Sequence, residues 1–215
     1  MKTTILSPVA AAAAEGDDFI ADFPLRHWGV VEKIRELARS GVCGSLSSLR
    51  FTWMRPKKLA TDPETFFFQT LPWLIDAAWF VADSPLEMLH IEAVPGRNSL
   101  FALARFKNDV TAEFELNECL PDSMSAIHFA KANYSEGHVS SQPLVGYFNT
   151  EGSVLADEES CRQVCVENID LPTADNEVDL ARIRFRVAAE REAVPAGPEH
   201  AKEILRAIRE ALKND

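Results

Sequence analysis

Four side chains in this 215-residue sequence have types and settings suited to recognition chemistry. Arg26 and His27 stand together just ahead of an amphipathic run. A guanidinium beside an imidazole can hold an anionic group, although such a pair is equally at home solvated at a helix start. Asp76 is the lone charged residue in the apolar run from Phe66 to Ala82. A carboxylate there either orients a ligand hydroxyl or caps or pairs locally on its own helix. Trp73 offers an indole face that suits the C–H surface of a sugar ring, and suits core or interface packing just as well.

Other chemistries lack a constellation. His90, His128, His138 and His200 are scattered, with no i, i+4 or strand-alternate spacing to a second ligand, so no metal site is expected. No Gly-x-Ser-x-Gly elbow exists, and no Cys or Ser has a neighbouring His to activate it. Cys43, Cys119, Cys161 and Cys165 form no CxxC pair. They read as small buried or half-buried thiols, a usage that suits a reducing, cytoplasmic setting.

The elements that must position these residues follow from apolar periodicity. Phe19 to Phe23 reads as a short strand after the Gly16-Asp17-Asp18 turn. Trp28, Val31, Ile34, Leu37 and Ala38 recur at helical spacing and predict a helix over 25–39, closed by Ser40-Gly41. Residues 46–54 read as a strand. Asp62-Pro63 then reads as an N-cap with a first-turn proline, opening a helix to about Val81 that is apolar nearly all round. Pro72 inside that helix should disturb it locally. Beyond Pro85 the period changes to two, predicting strands over 86–94, 99–106, 110–118, 126–134 and 142–148, with a tight hairpin at Lys107-Asn108-Asp109. Shorter strands are predicted over 152–155 and 164–167, and helices over 176–192 and 199–212. The expected fold is α+β: a mostly antiparallel open sheet with helices packed on one face, the other face available for dimerisation. Residues 1–18 are expected to be an N-terminal extension and 19–215 the domain.

Composition narrows the partners. Apolar residues make up 47% and charged residues 26%, values ordinary for a globular domain. The net charge of -11, with no basic stretch free of acids, excludes nucleic acid as an expected partner. No window of about 18 apolar residues predicts a membrane span. The run from Thr3 to Ala14 is broken by Pro8 and lacks a leucine-rich core, so it is not read as a secretory leader.

Several local motifs occur in a telling order. They are Arg26 with the helix that ends in Ser40-Gly41-Val42-Cys43-Gly44-Ser45-Leu46; Arg105-Phe106-Lys107-Asn108-Asp109-Val110; Gly146-Tyr147-Phe148-Asn149-Thr150-Glu151-Gly152-Ser153; and final helices separated at Pro195. In this order the chain resembles, over residues 19–212, the C-terminal domain of the Gfo/Idh/MocA family of NAD(P)-dependent sugar and polyol oxidoreductases. Two departures bear on function. That family carries a nucleotide-binding half built of βαβ units with a Gly-x-Gly-x-x-Gly turn, and a Glu-Lys-Pro segment whose lysine assists catalysis; neither motif occurs here. Its catalytic Asp-x-x-x-His-x-x-Asp, laid on this sequence, falls on Gln69, Trp73 and Asp76. Gln and Trp cannot exchange a proton near neutral pH, so the acid–base pair is lost.

The resemblance therefore implies no catalytic residue and a candidate ligand-binding set of Arg26, His27, Gln69, Trp73 and Asp76, the first two where the family's substrate cleft would open. No cofactor is expected on this chain alone; NAD(P) enters only if a separate Rossmann-domain partner chain supplies its site. The expected role is a non-catalytic homodimer serving interaction, regulation or ligand binding. The alternatives are a subunit of a split dehydrogenase, a binding module for a sugar or sugar acid, and a piece of a longer gene product.

Overall fold

The computed structural model describes residues 4–14, 19–57, 63–94, 98–141, 144–148, 162–165, 181, 185 and 197–213. The period-two runs become ten strands in chain order. They are β1 (Thr4–Leu6), β2 (Phe19–Ala21), β3 (Leu46–Pro56), β4 (Leu86–Val94), β5 (Ser99–Phe106), β6 (Thr111–Leu120), β7 (Ile127–Tyr134), β8 (Gly137–Ser141), β9 (Leu144–Phe148) and β10 (Arg162–Cys165). The helices whose bounds lie among the described residues are α1 (Pro8–Ala13), α2 (Gly29–Ser40), α3 (Pro63–Ala82) and α4 (Pro198–Ala211). A 3-10 turn, Pro24–His27, leads into α2.

Eight strands form one sheet in the order β10-β9-β8-β7-β3-β6-β5-β4. It is antiparallel except where β3 runs parallel to β6. The α+β layout expected from the sequence is present. Burial alternates strictly: Leu100, Ala102, Ala104 and Phe106 of β5 are buried, while Phe101 and Leu103 between them are exposed. β3, β6 and β7 contribute Phe51, Trp53, Phe114 and Leu116, with alanines such as Ala112 and Ala130, to the same inner face. Phe51 and Phe114 stack with ring centroids 6.0 Å apart. The hairpin joining β5 to β6 closes as expected, with Asp109 in the left-handed region at φ 64°.

The last turn of α2 ends at Gly41, φ 67°, in the left-handed conformation that lets a chain leave a helix. The helix begins later than expected, because Trp28 is extended and separates it from the 3-10 turn. α3 runs unbroken from Pro63 to Ala82 despite Pro72. An interior proline costs about 3 kcal/mol. Burial of Leu71, Leu74, Ile75, Ala77 and Ala78 around it outweighs that cost. Asp62, the expected cap, and the segments 152–155 and 176–192, Ala181 and Phe185 excepted, lie outside the described residues. β8 was not expected as a separate strand; five residues with Gly at one end carry too little periodicity to show it.

Residues 4–14 pack on the residues that follow. β1 pairs in parallel with β2, and Ala11 of α1 is fully buried. The segment is a minimal βαβ unit, with Ser7 and Pro8 where its helix begins. Among the described residues, no helix is long and apolar enough to cross a membrane.

Two residues lock α2 and its turn to the sheet. The phenol of Tyr134 on β7 donates to the Ile34 carbonyl at 2.8 Å, and burial pushes its pKa up. Gly44, φ 77°, lies so close to β7 that an added Cβ would sit 2.1 Å from Ser135 Oγ, which accepts the Ser45 N–H. Gly44→Ala combines a disfavoured φ with that clash, and is expected to lower stability by about 1–3 kcal/mol, read as a shifted urea midpoint with unchanged slope.

Candidate functional site

The 3-10 turn carries Arg26 under the middle of α3. Its Nε donates to both Asp76 oxygens, at 3.1 and 2.9 Å, and its Nη2 to Oδ1 at 2.5 Å. Asp76 is fully buried and Arg26 nearly so. This fork-on-carboxylate geometry is the form in which a buried pair best offsets its desolvation. A third group completes the cluster: His200 Nε2 lies 2.7 Å from Asp76 Oδ1 and 3.3 Å from Arg26 Nη2. Arginine only donates, so Nε2 serves Asp76 when it carries the proton, which leaves Nδ1 as the acceptor of a neutral ring. Phe23 and Trp79 meet the His200 ring edge-on, at 5.4 and 4.7 Å.

Asp76 therefore pairs over long range, with partners 50 and 124 residues away, rather than locally on its helix. Its oxygens are engaged by Arg26 and His200, and no solvent reaches it. Gln69, Trp73 and Asp76 are spaced to share one side of α3. Gln69 is exposed, Trp73 half-buried and Asp76 buried. His27 takes another direction from its neighbour: its ring meets Phe185 at 6.1 Å, and Nδ1 lies 3.8 Å from Glu32 Oε1. Of the five candidates, the structure joins Arg26 and Asp76 and adds His200, which the sequence offered only as an isolated histidine. The one available signal was a buried aspartate's need for more than one donor; nothing in the spacing says that α4 supplies it.

Beside the cluster opens a pocket of about 320 Å³, lined by Arg26, Arg35, Trp79, Phe80, Ser84 and His200 among others. Arg26 and Arg35 both lie over the Phe80 ring, with guanidinium carbons 5.1 and 3.6 Å from its centroid.

A second polar pair sits at the far end of β3 and β6. Arg55 Nη2 donates to the fully buried Glu118 at 2.5 Å, and its guanidinium lies 4.3 Å from the Phe66 ring centroid. Nearby, Trp53 stacks on His128 at 3.8 Å and meets Trp28 edge-on. Of the cysteines, Cys43 is buried, its thiol pushed up to about 11 chiefly by desolvation, whereas Cys119 is exposed.

No protein-family model matches the chain, and no curated protein does. Solved structures do. An oxidoreductase from Agrobacterium radiobacter, in complex with NAD+, L-tartaric acid and magnesium, superposes with a TM-score of 0.66 at 10% identity, covering 98% of this chain and 70% of its own. A dehydrogenase from Chromobacterium violaceum gives 0.67 at 14%, covering 92% and 61%. Levoglucosan dehydrogenase, in complex with NADH and L-sorbose, gives 0.61 at 14%, covering 90% and 63%. The chain thus spans roughly two-thirds of these oxidoreductases, and across nearly all of its own length it has their fold.

Proposed function

We propose that this chain is an oxidoreductase-like domain, equivalent to the C-terminal part of the Gfo/Idh/MocA enzymes, that does not move hydride unaided and works as a dimeric binding module. The observation that carries the reading is the pair Gln69 and Trp73 on α3, where the resemblance places a proton-exchanging Asp and His. Neither side chain titrates near neutral pH, and the acid that does remain, Asp76, is consumed by Arg26 and His200. The β1–α1–β2 unit supports it too: its turn holds Ser7 and Pro8 rather than the glycines that let a backbone approach a pyrophosphate. Purified protein incubated with NAD+ or NADP+ and a panel of polyols and sugars is expected to form no reduced nicotinamide above the protein-free rate. Turnover at an ordinary enzyme rate of about 1 per second or more would overturn the reading.

The dimer is proposed through the outer face of the sheet. Met88, Phe101 and Leu103 on β4 and β5 are each about half exposed there, a cluster of large apolar side chains on a surface with no covering layer among the described residues.

One observation favours a second reading, a split dehydrogenase. β1 and β2 make a two-stranded parallel sheet of three-residue strands, and parallel sheets normally stand only when larger and covered on both faces. A nucleotide-binding chain that extends this small sheet would relieve it. Co-purification of a Gly-x-Gly-x-x-Gly protein, with nicotinamide reduction restored by the mixture, would favour this reading over the first.

A further inference from the structure

The pocket beside Arg26 has a charge problem that its own residues leave unsolved. Two guanidinium groups line it, Arg26 and Arg35, and Asp83, a carboxylate that lines it with them, is shared with Arg39 outside the lining. Asp76 is spent on Arg26 and His200. Asp83 accepts from Arg39 Nη2 at 3.2 Å, while its other oxygen stays 3.9 Å from Arg35 Nη2, beyond hydrogen-bond reach. Arg35 is therefore under-compensated. Its Nε is buried and, among the described residues, has no acceptor. Burial first, then the like charges of Arg39 and Arg26, push its pKa down against the opposing pull of Asp83. A buried donor left unsatisfied on a cation is costly, and an incoming acceptor relieves that cost.

Three further features say what kind of acceptor fits. The volume, about 320 Å³, lies at the lower end of the range for small-molecule sites. Two aromatic rings, Trp79 and Phe80, line it beside the cations, so an apolar or flat body has a wall to lie on. And the fourteen-residue helix α4 begins here, with His200 in its first turn and Gly197, which has no side-chain oxygen, at its N-cap, so the positive end of its dipole is at the same place.

We propose that this pocket binds a small carboxylate carrying a flat apolar body, with Arg35 as the principal anion-binding residue and Trp79 as the wall. The inference rests on reading the chain as a ligand-binding module and names the class of ligand. The carboxylate gives the Arg35 guanidinium the acceptor it lacks, while the Arg26–Asp76–His200 cluster holds the floor of the site in place.

Benzoate is the probe, and benzyl alcohol its uncharged counterpart, each titrated calorimetrically into the full chain. Benzoate is expected to bind and to raise the unfolding midpoint, and benzyl alcohol to bind at least about tenfold more weakly, since a hydrogen bond to a charged group contributes about 1.5–3 kcal/mol, or roughly 10- to 100-fold. Arg35→Gln is expected to weaken benzoate by about that factor and to leave benzyl alcohol unchanged. If Arg35→Gln does not fold, Arg35→Lys, which keeps the charge and loses the fork, is expected to weaken benzoate measurably, by about three- to tenfold. No benzoate binding, equal binding of benzyl alcohol, or an Arg35 variant that folds and binds benzoate as the parent does would each overturn the proposal. Nicotinamide turnover would overturn the non-catalytic reading and leave this titration untouched, so the two failures are distinguishable.

Discussion

Asp76→Asn is expected to lower the unfolding free energy by about 3–5 kcal/mol, the typical cost of removing one partner from a buried ion pair. Asparagine keeps the shape and removes the charge. Arg26, nearly fully buried, is then left as an uncompensated cation, and His200 faces a neutral amide where a carboxylate lay 2.7 Å from its Nε2. For a chain of this length the thermal midpoint should fall on the order of 10 °C. The double variant Arg26→Met with Asp76→Leu should recover most of the loss, because replacing both members of a buried pair with apolar groups is often neutral or better. Urea unfolding of Arg26→Met, Asp76→Leu and the double variant closes the cycle that measures the coupling. A drop below about 1 kcal/mol for Asp76→Asn would show that the cluster is not the buried lock that its distances imply.

A second large effect is expected at the proposed dimer face. One row across its outer surface reads Leu103, Glu113, Arg50 and Lys131 on neighbouring strands β5, β6, β3 and β7. Arg50 Nε already lies 3.5 Å from Glu113 within the chain. A two-fold axis between Glu113 and Arg50 sets each of these against its opposite in the other copy, and sets Leu103 against the apolar stem of Lys131. Leu103→Lys removes apolar burial twice per dimer, about 1.5–3 kcal/mol each time, and opposes like charges. Association should weaken by about 10²- to 10⁴-fold, turning a dimer into a monomer by sedimentation at micromolar concentration. Leu103→Glu, facing Lys131 instead, should cost less. Equal effects of the two variants would rule out this register, and a monomeric parent chain would rule out the dimer.

How much of this was legible beforehand differs by element. The bounds of β4 and β5 follow from residues alone, because Pro85 forces an extended start and strict alternation such as Leu100-Phe101-Ala102-Leu103 fits only a sheet with one buried face. The end of α2 was equally plain, since Gly41 adopts its left-handed φ without strain. Sequence alone could not show that β3 inserts between β6 and β7, parallel to one and antiparallel to the other, because alternation fixes which face a residue takes and says nothing about its neighbouring strand. The packing of residues 4–14 was illegible for a related reason: an alanine-rich stretch has little amphipathic signal, and its burial depends on the rest of the core.

By itself, then, the sequence determined the α+β class and the lone acid in the apolar run from Phe66 to Ala82. Only the tertiary structure decided that Asp76 meets Arg26 and His200, and that Arg35 lines a pocket beside them. Spacing within a helix or strand is a local property that residue types can encode. A convergence of side chains 50 and 124 residues apart depends on how whole elements stack, and that is settled by the burial of the entire core.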